Sequence, residues 1–489
     1  MATAWDQRSA TEQRHLQNVL LKQTVLQMAL AHVPYVRAKL AASGIDARLF
    51  GGLDELRRLP TTMRRDIVDP QRNPEGPSAV VLQGTAEGVK RFSDRSVLRR
   101  IAMARLLGGE EEQQLAIESA TRAIHVHMVP GPGGRIPVAY TRDDLDLSAR
   151  AGARLAHLVG LAREDTLLNL VPFAASLDFW GIYYMSHGLG MSAVHNRRDG
   201  QDLARAVAGF ADVQPTAVAI PADEAAVFVA AARDAGADLA RLRVLIPVGR
   251  SLSIEERASV GEDLLAAGAR DAAIAAAYGV AEGRVLWGEC AVPAGRTETF
   301  GFHTFPDLEV LEVVSPETGE ALAEETPGEI TLTPLGFRGG GVPRWRSGDL
   351  ALGGMTVKPC PNCGRNVPRI GPTVVRGAWQ HLATLEGRRS WIDLRDAGAA
   401  ASERAREWQV ELRREDGGHA LFVHVAAPDD RPGSVIDLYE DLARLGSAPT
   451  QIVLGSEAEI AERCARAPGP WPRYWETAEY AFAPQLPAD

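Results

Sequence analysis

The chain has 489 residues, of which 45% are hydrophobic and 24% charged, enough apolar material for two or three packed units and too much for a disordered or fibrous protein. Lys and Arg total 53 against 63 Asp and Glu, a formal charge of −10 with both signs interspersed, so nucleic acid is not an expected partner. The longest apolar runs, such as 167–173, stop far short of the about 20 residues a membrane helix needs, and the first residues lack a secretory signal; a cytoplasmic protein without membrane contact is expected.

Residues 11–58 read as helical, with Leu16, Val19, Leu20, Val25, Leu26 and Leu30 at near-helical spacing until Leu59-Pro60-Thr61-Thr62 closes the segment. Between 138 and 290 helices alternate with short apolar strands: helix 145–159, strand 167–173, helix 204–211, strand 217–220, helix 222–235, strand 244–247 and a helical stretch at 266–276. Such alternation predicts an α/β fold built on a mainly parallel sheet with helices on both faces. Residues 307–333 change to a β meander, with strands at 308–314 and 329–333 around a turn at 316–319. From about 376 a small α+β unit follows, with strands at 408–412, 421–425 and 451–454 and a helix at 434–445.

Four local patterns bear on chemistry. Gly131, Gly133, Gly134 and Arg135 cluster between a predicted strand at 124–128 and Tyr140-Thr141, which opens a helix; glycines there let backbone N–H groups approach phosphate oxygens, although a plain turn has the same composition. Tyr278, Gly279 and Glu282 offer a ring for a purine and a carboxylate for Mg2+. Asp349, after Arg346, Ser347 and Gly348, is either a solvated turn residue or an acceptor for two ribose hydroxyls. Cys360 and Cys363, with Cys290 and His303 upstream, have the make-up of a four-ligand zinc site without an open position, hence a structural one.

In this order the patterns resemble the adenylate-forming superfamily of acyl-CoA synthetases, peptide-synthetase adenylation domains and luciferases, and within it the phenylacetate-CoA ligase branch. Similar stretches span nearly the whole chain: His32–Arg37, Leu53–Thr62, Tyr278–Glu282, Glu289-Cys290, Gly301–His303, Leu308–Val314, Pro316–Gly319, Arg346–Asp349 and Cys360–Ile370. The resemblance implies a large N-terminal domain of helix-covered sheets plus a β subdomain (1–371), a hinge (372–379) and a small mobile α+β C-terminal domain (380–489). It further implies that Gly131, Gly134, Gly249, Tyr278, Gly279 and Asp349 bind ATP, that Glu282 holds Mg2+, and that Arg135 and Arg376 assist the chemistry. Phe173, Trp180 and Tyr184 fall where the family lines its acyl pocket, and each is equally explicable as core packing. The implied partners are a small carboxylic acid, aromatic by preference, and coenzyme A, a carrier-protein thiol or an amine as acceptor.

The departures from the family pattern matter as much. The phosphate loop carries no Ser or Thr and ends in Arg135 where relatives have lysine; Ala281 replaces a threonine; Ala378 and Trp379 stand where an aspartate is usual. No lysine follows Lys358, so the C-terminal lysine that relatives bring to the carboxylate and α-phosphate is missing, with Arg473 the candidate substitute. Two functions remain open on the sequence: an AMP-forming ligase, and a diverged scaffold that binds nucleotide or acyl-adenylate with little adenylation.

Overall fold

The computed structural model describes residues 5–28, 33–84, 93, 95–131, 133–174, 176–195, 203–375, 381–384, 387–415, 418–426, 434–444, 448–467 and 471–476. Its centre is an 11-stranded sheet whose parallel heart runs Ser192–His195, Thr166–Asn169, Ala217–Pro221 and Val244–Val248. Period-two alternation sends neighbouring residues of these strands into different cores. Ala217, Ala219, Val244 and Ile246 join Leu155, Ile182 and Met185 of the helices Arg142–Leu158 and Leu177–Leu189. Val218, Ile220 and Leu245 meet Phe210, Phe228 and Leu264 of Leu203–Val213, Ala222–Asp234 and Ile254–Ala266.

Two expectations are corrected. The helix read at 266–276 lies earlier, at Ile254–Ala266, set by a capping box between Ser253 and Glu256 and followed by Gly268 at φ +92°. The alanines beyond it enter the sheet, Ala273–Ile274 pairing parallel to Val244–Val248. Ala275, Ala276 and Ala277 are wholly buried, so packing against the sheet overrides their helix propensity. The strand read at 167–173 ends at Asn169, whose Oδ1 accepts from the Val171 N–H at 3.0 Å and turns the chain off the sheet.

Beyond Val244–Val248 the sheet continues through the short strands Ala277–Tyr278, Trp287–Gly288, Phe302–His303 and Arg369–Ile370. A second sheet, antiparallel, holds the meander read from the sequence: Glu309–Val314, Gly328–Pro334, Trp345–Ala351 and Val374–Val375. The C-terminal residues form a separate six-stranded sheet, and Val410, Leu412, Leu421 and Val423 pack with Leu394 and Ala397 of Trp391–Ser402. Leu350 of the preceding sheet and Leu352 just after it share that core, so the units are in contact. No helix among the described residues is long and apolar enough to cross a membrane.

Glu309 opens the meander in a dry setting. Its Oε1 accepts from Trp287 Nε1 and from the Phe305 N–H, while Oε2 meets no partner among the described residues. Burial is the main cause that pushes this carboxyl from 4.5 up to about 8. Between those values the native state keeps a proton that the unfolded chain releases, so stability falls as pH rises, by at most about 1.4 kcal/mol per unit. Glu309→Gln is therefore expected to flatten the decline in the urea midpoint between about pH 5 and pH 8. A decline as steep as in the wild type would show that Glu309 is not its source.

Candidate active site

Three sequence-distant turns meet where the central sheet gives way to the meander. Gly249 follows Val244–Val248 at φ +107°, a conformation that favours glycine, and its N–H donates to the Ala277 carbonyl at 2.8 Å. Next to it the Tyr278 hydroxyl donates to Asp349 Oδ2 at 2.7 Å. Asp349 sits one residue past Gly348, whose φ of +81° turns its own N–H onto Glu329 Oε1 at 2.8 Å. Gly249, Tyr278, Gly279 and Asp349 are thus brought together.

The arrangement differs in detail from an open purine slot. Tyr278 is wholly buried, its ring centroid 5.4 Å from those of both Trp287 and Phe302. Gly279 is required by packing, because a Cβ there would lie 2.5 Å from the Val285 carbonyl oxygen. The Asp349 carboxylate accepts the Tyr278 hydroxyl on Oδ2 and keeps further acceptor sites, since an ionised carboxylate has about four.

Glu282 lies on the single turn Ala281–Gly283 beside a cavity of about 20 Å3 that Ile67, Ile136, Pro137, Arg284 and Trp345 also line. Burial pushes the Glu282 carboxyl up; Arg64 and Arg284 oppose that, and Asp349 adds to it. One carboxylate with phosphate oxygens supplying the other ligands is a donor set that suits Mg2+, and a divalent cation would relieve the desolvation that now raises the Glu282 pKa.

The glycine cluster is the tip of a hairpin, His125–Gly131 paired with Gly134–Tyr140, and Gly131 faces Gly134 across it. Arg64 holds this tip: its Nη2 donates to the carbonyls of Val129, at 3.0 Å, and of Gly134. A Cβ on Gly131 would lie 2.6 Å from Arg64 Cζ, so the glycine makes room for a guanidinium. Arg135 is exposed on the second strand, and the positive charges that lower the Glu282 pKa are those of Arg64 and Arg284. Arg376 lies outside the described residues.

Phe173, Trp180 and Tyr184 do converge: the Trp180 centroid is 5.9 Å from Phe173 and 6.2 Å from Tyr184. The helix that carries Trp180 and Tyr184 is drawn close to Arg142–Leu158 because Gly152 and Gly188 present no side chain; a Cβ on Gly152 would lie 2.4 Å from the Tyr184 carbonyl oxygen. Two residues that sequence reasoning missed join the cluster. The rings of His125 and His127 lie 4.7 and 5.6 Å from Trp180, side by side because they are two apart on one strand. Burial lowers both pKa values, that of His127 to about 4, so both imidazoles are neutral near pH 7.

The four expected metal ligands also assemble. The donor atoms of Cys290, His303, Cys360 and Cys363 all lie within 4.8 Å of one another. Cys290 and Cys360 Sγ are 3.8 Å apart, the separation expected of two thiolates at about 2.3 Å from one tetrahedral ion. His303 Nε2 is 3.2 Å from Cys363 Sγ, while its Nδ1 lies 3.2 Å from the Gly288 carbonyl, which fixes the ring with Nε2 toward the sulfurs. The set fits zinc.

Arg473 is held by partners of its own; its backbone N–H donates to Glu317 Oε1 at 2.8 Å. Its guanidinium donates to the Trp408 carbonyl at 2.8 Å and to Glu407 at 3.1 Å, both within the C-terminal unit.

A helix-flanked sheet, an antiparallel meander and a smaller C-terminal sheet make up the fold of the adenylate-forming ligases. Two solved structures of 2-hydroxyisobutyryl-CoA ligase share it. The first, with 2-HIB-AMP and CoA in the thioesterification state, gives a TM-score of 0.59 at 17% identity over 97% of this chain and 94% of that one. The second, an open conformation with the same ligands, gives 0.58 at 18% identity over 97% and 95%. No protein-family model matches the sequence. Among curated proteins, the phenylacetate-coenzyme A ligase of Thermus thermophilus is 27% identical over 368 residues, 74% of this chain and 70% of that protein. The chain is thus similar in sequence to a phenylacetate-CoA ligase and shares the fold of the solved CoA ligases.

Proposed function

We propose that the protein is an AMP-forming ligase that activates a small, preferably aromatic, carboxylic acid and passes it to a thiol or amine. The observation that carries this reading is the meeting of Gly249, Tyr278 and Asp349 from three distant turns, with Glu282 in electrostatic range of Asp349. The names of the relatives, a CoA ligase by sequence and a CoA ligase holding an acyl-AMP by structure, support it.

In this reading an oxygen of the substrate carboxylate attacks the α-phosphorus of ATP, the bond to the bridging oxygen breaks, and pyrophosphate leaves. The acceptor then attacks the acyl carbon and AMP departs. Mg2+ at Glu282 supplies charge neutralisation for the polyphosphate. Asp349 receives the ribose, the hairpin-tip amides at Gly131 and Gly134 cradle phosphate, and Gly249, Tyr278 and Gly279 border the purine. Arg135 and Arg376 assist the chemistry. Phe173, Trp180 and Tyr184 enclose the acid, and coenzyme A or a carrier protein is the acceptor. Residues 1–371 and 380–489 act as two domains about a hinge at 372–379, in the cytoplasm and in specialised biosynthesis. Zinc at Cys290, His303, Cys360 and Cys363 is structural.

A second reading, a scaffold that binds nucleotide or acyl-adenylate with little adenylation, is favoured by the hydroxyl-free loop, by Ala281 and by the lack of a lysine after Lys358. Pyrophosphate release with a panel of aryl and fatty acids separates the two. An acid-dependent signal is expected, and Asp349→Ala is expected to raise KM for ATP by about tenfold or more, the cost of losing hydrogen bonds to a charged acceptor. Absence of any acid-dependent release, with ATP still bound in a calorimeter, would leave the scaffold.

A further inference from the structure

If the site takes ATP as proposed, with a cation at Glu282, an oxygen of the nucleotide or of the cation's shell lies beside this carboxylate. The cavity there, about 20 Å3, has room for a single oxygen, since one water needs about 10–15 Å3. We infer that Trp345 Nε1 and Arg284 Nε are the donors that hold this oxygen, which belongs either to a phosphate group of MgATP or to a water on its cation.

Three observations point to these donors. First, both are buried and neither has a hydrogen-bond partner among the described residues. A buried indole N–H usually finds an acceptor, so the orphaned one on Trp345 calls for an acceptor that arrives with a ligand. Second, Trp345 and Arg284 line one cavity with Glu282 and with Ile136, Pro137 and Val138 of the hairpin whose tip is expected to cradle phosphate. Third, the fold sets both residues against Glu282 by short links. Gly283 lies against Leu332, where an added Cβ would sit 3.5 Å from Cδ1, and Leu332 pairs with Trp345 across the meander. Trp345 in turn opens the strand that carries Asp349. Arg284 caps the Glu282 turn at φ +66°, a left-handed conformation disfavoured for a residue with a side chain. Its Nη1 donates to the Glu282 carbonyl at 3.2 Å and its Nη2 to the Ala139 carbonyl at 3.4 Å, while Nε remains without an acceptor.

Two N–H donors, one of them on a guanidinium, favour an oxygen that carries negative charge. A phosphate oxygen next to the Glu282 carboxylate needs a cation between them, whereas a water can donate to the carboxylate; MgATP supplies both. An isolated water would fit the same space, and it is the alternative to be told apart from a ligand oxygen.

The test is calorimetric titration of the full chain and of Trp345→Phe, which keeps an aromatic ring and removes the N–H, with MgATP and, separately, with adenosine. Loss of a hydrogen bond to a charged group predicts that the variant binds MgATP about tenfold to a hundredfold more weakly, while adenosine affinity changes by less than about threefold. Repeating the ATP titration in EDTA separates the two sources: a loss that persists assigns the oxygen to phosphate, and a loss that needs Mg2+ assigns it to a cation-bound water. An unaltered MgATP affinity overturns the inference, and so do equal losses for both ligands, which would leave Trp345 a packing residue. If the variant fails to fold, a crystal of the wild type with MgATP decides. An oxygen of the nucleotide or of its cation shell within about 3.2 Å of Trp345 Nε1 is then expected, and a cavity holding only an isolated water, or nothing, overturns the assignment. A wild type that binds MgATP beside a variant that matches it sinks this assignment alone; a wild type that binds neither ligand sinks the ligase reading with it.

Discussion

Glu329→Gln is expected to lower the free energy of unfolding by about 3–5 kcal/mol, the typical cost of stranding buried charge. Glu329 has no exposed surface, and its Oε2 accepts from Arg346 Nε at 2.8 Å while Oε1 accepts from Arg395 Nη1 at 2.6 Å. Burial pushes its carboxyl up, yet Arg346 and Arg395 outweigh this and hold it below the ordinary value. The amide keeps the shape and removes the charge, so two guanidiniums, both almost wholly buried, lose their shared counterion. Because the folded pKa is depressed, the pair's contribution is fully present above the ordinary carboxylate range and fades as acid protonates Glu329. The gap between variant and wild type in urea unfolding should therefore be largest near neutrality and close on acidification. A gap under about 1 kcal/mol at neutral pH would mean that water or movement already screens these charges.

The same residue ties the units to one another. Arg395 lies on Trp391–Ser402, the first helix of the C-terminal residues, whereas Glu329 and Arg346 belong to the meander. Arg65 to Glu403 at 2.8 Å and Arg444 to Asp69 at 2.9 Å add two contacts across the same junction. Glu329 also receives the Gly348 N–H, one residue before Asp349. A rotation of the C-terminal unit of the kind the hinge proposal needs would have to part Arg395 from Glu329, next to the strand that carries Asp349.

What was legible in the sequence is what short-range pattern encodes. The strands 217–220 and 244–247 are apolar runs bounded by turns, and the structure has them within a residue. The cysteine and histidine set was legible because ligand type and the Cys-x2-Cys spacing limit the alternatives. The meeting of Tyr278 with Asp349 was legible only through resemblance, since 71 residues separate them and no local rule connects the two. Arg64 was invisible for a related reason. Nothing in Thr61-Thr62-Met63-Arg64 distinguishes it from its neighbour Arg65, and only the fold sends one to the hairpin tip and the other to Glu403. The alanines at 269–277 show the converse failure, a strong local propensity overruled by a sheet that needs small residues.

Removing one ligand of the cysteine and histidine cluster is the other change expected to act strongly. Cys363→Ser should abolish stoichiometric zinc in protein purified without chelator and destabilise the chain by about 3 kcal/mol or more, a fraction of the roughly 10–16 kcal/mol that structural zinc contributes in small domains. The reason lies in what the cluster joins. His303 belongs to Phe302–His303, which pairs with Arg369–Ile370 on one side and meets Gly288 on the other. Cys360 and Cys363 come from the loop that leads into Arg369–Ile370, and Asn362 Nδ2 donates to Cys290 Sγ at 3.1 Å. A tetrahedral ion would thus pin the short strands at this end of the sheet, each too brief to hold by backbone hydrogen bonds alone. Those strands include Trp287 and Phe302, the rings that enclose Tyr278, so the loss should reach the nucleotide turn as well as stability. Cys464→Ser is the matched control, because Cys464 lies on Glu457–Arg466, outside the cluster, and should leave zinc content unchanged while removing one half-buried thiol of the same kind. Wild-type protein with no bound zinc, or a Cys363→Ser variant as stable as the Cys464 control, would show that the four side chains pack without an ion.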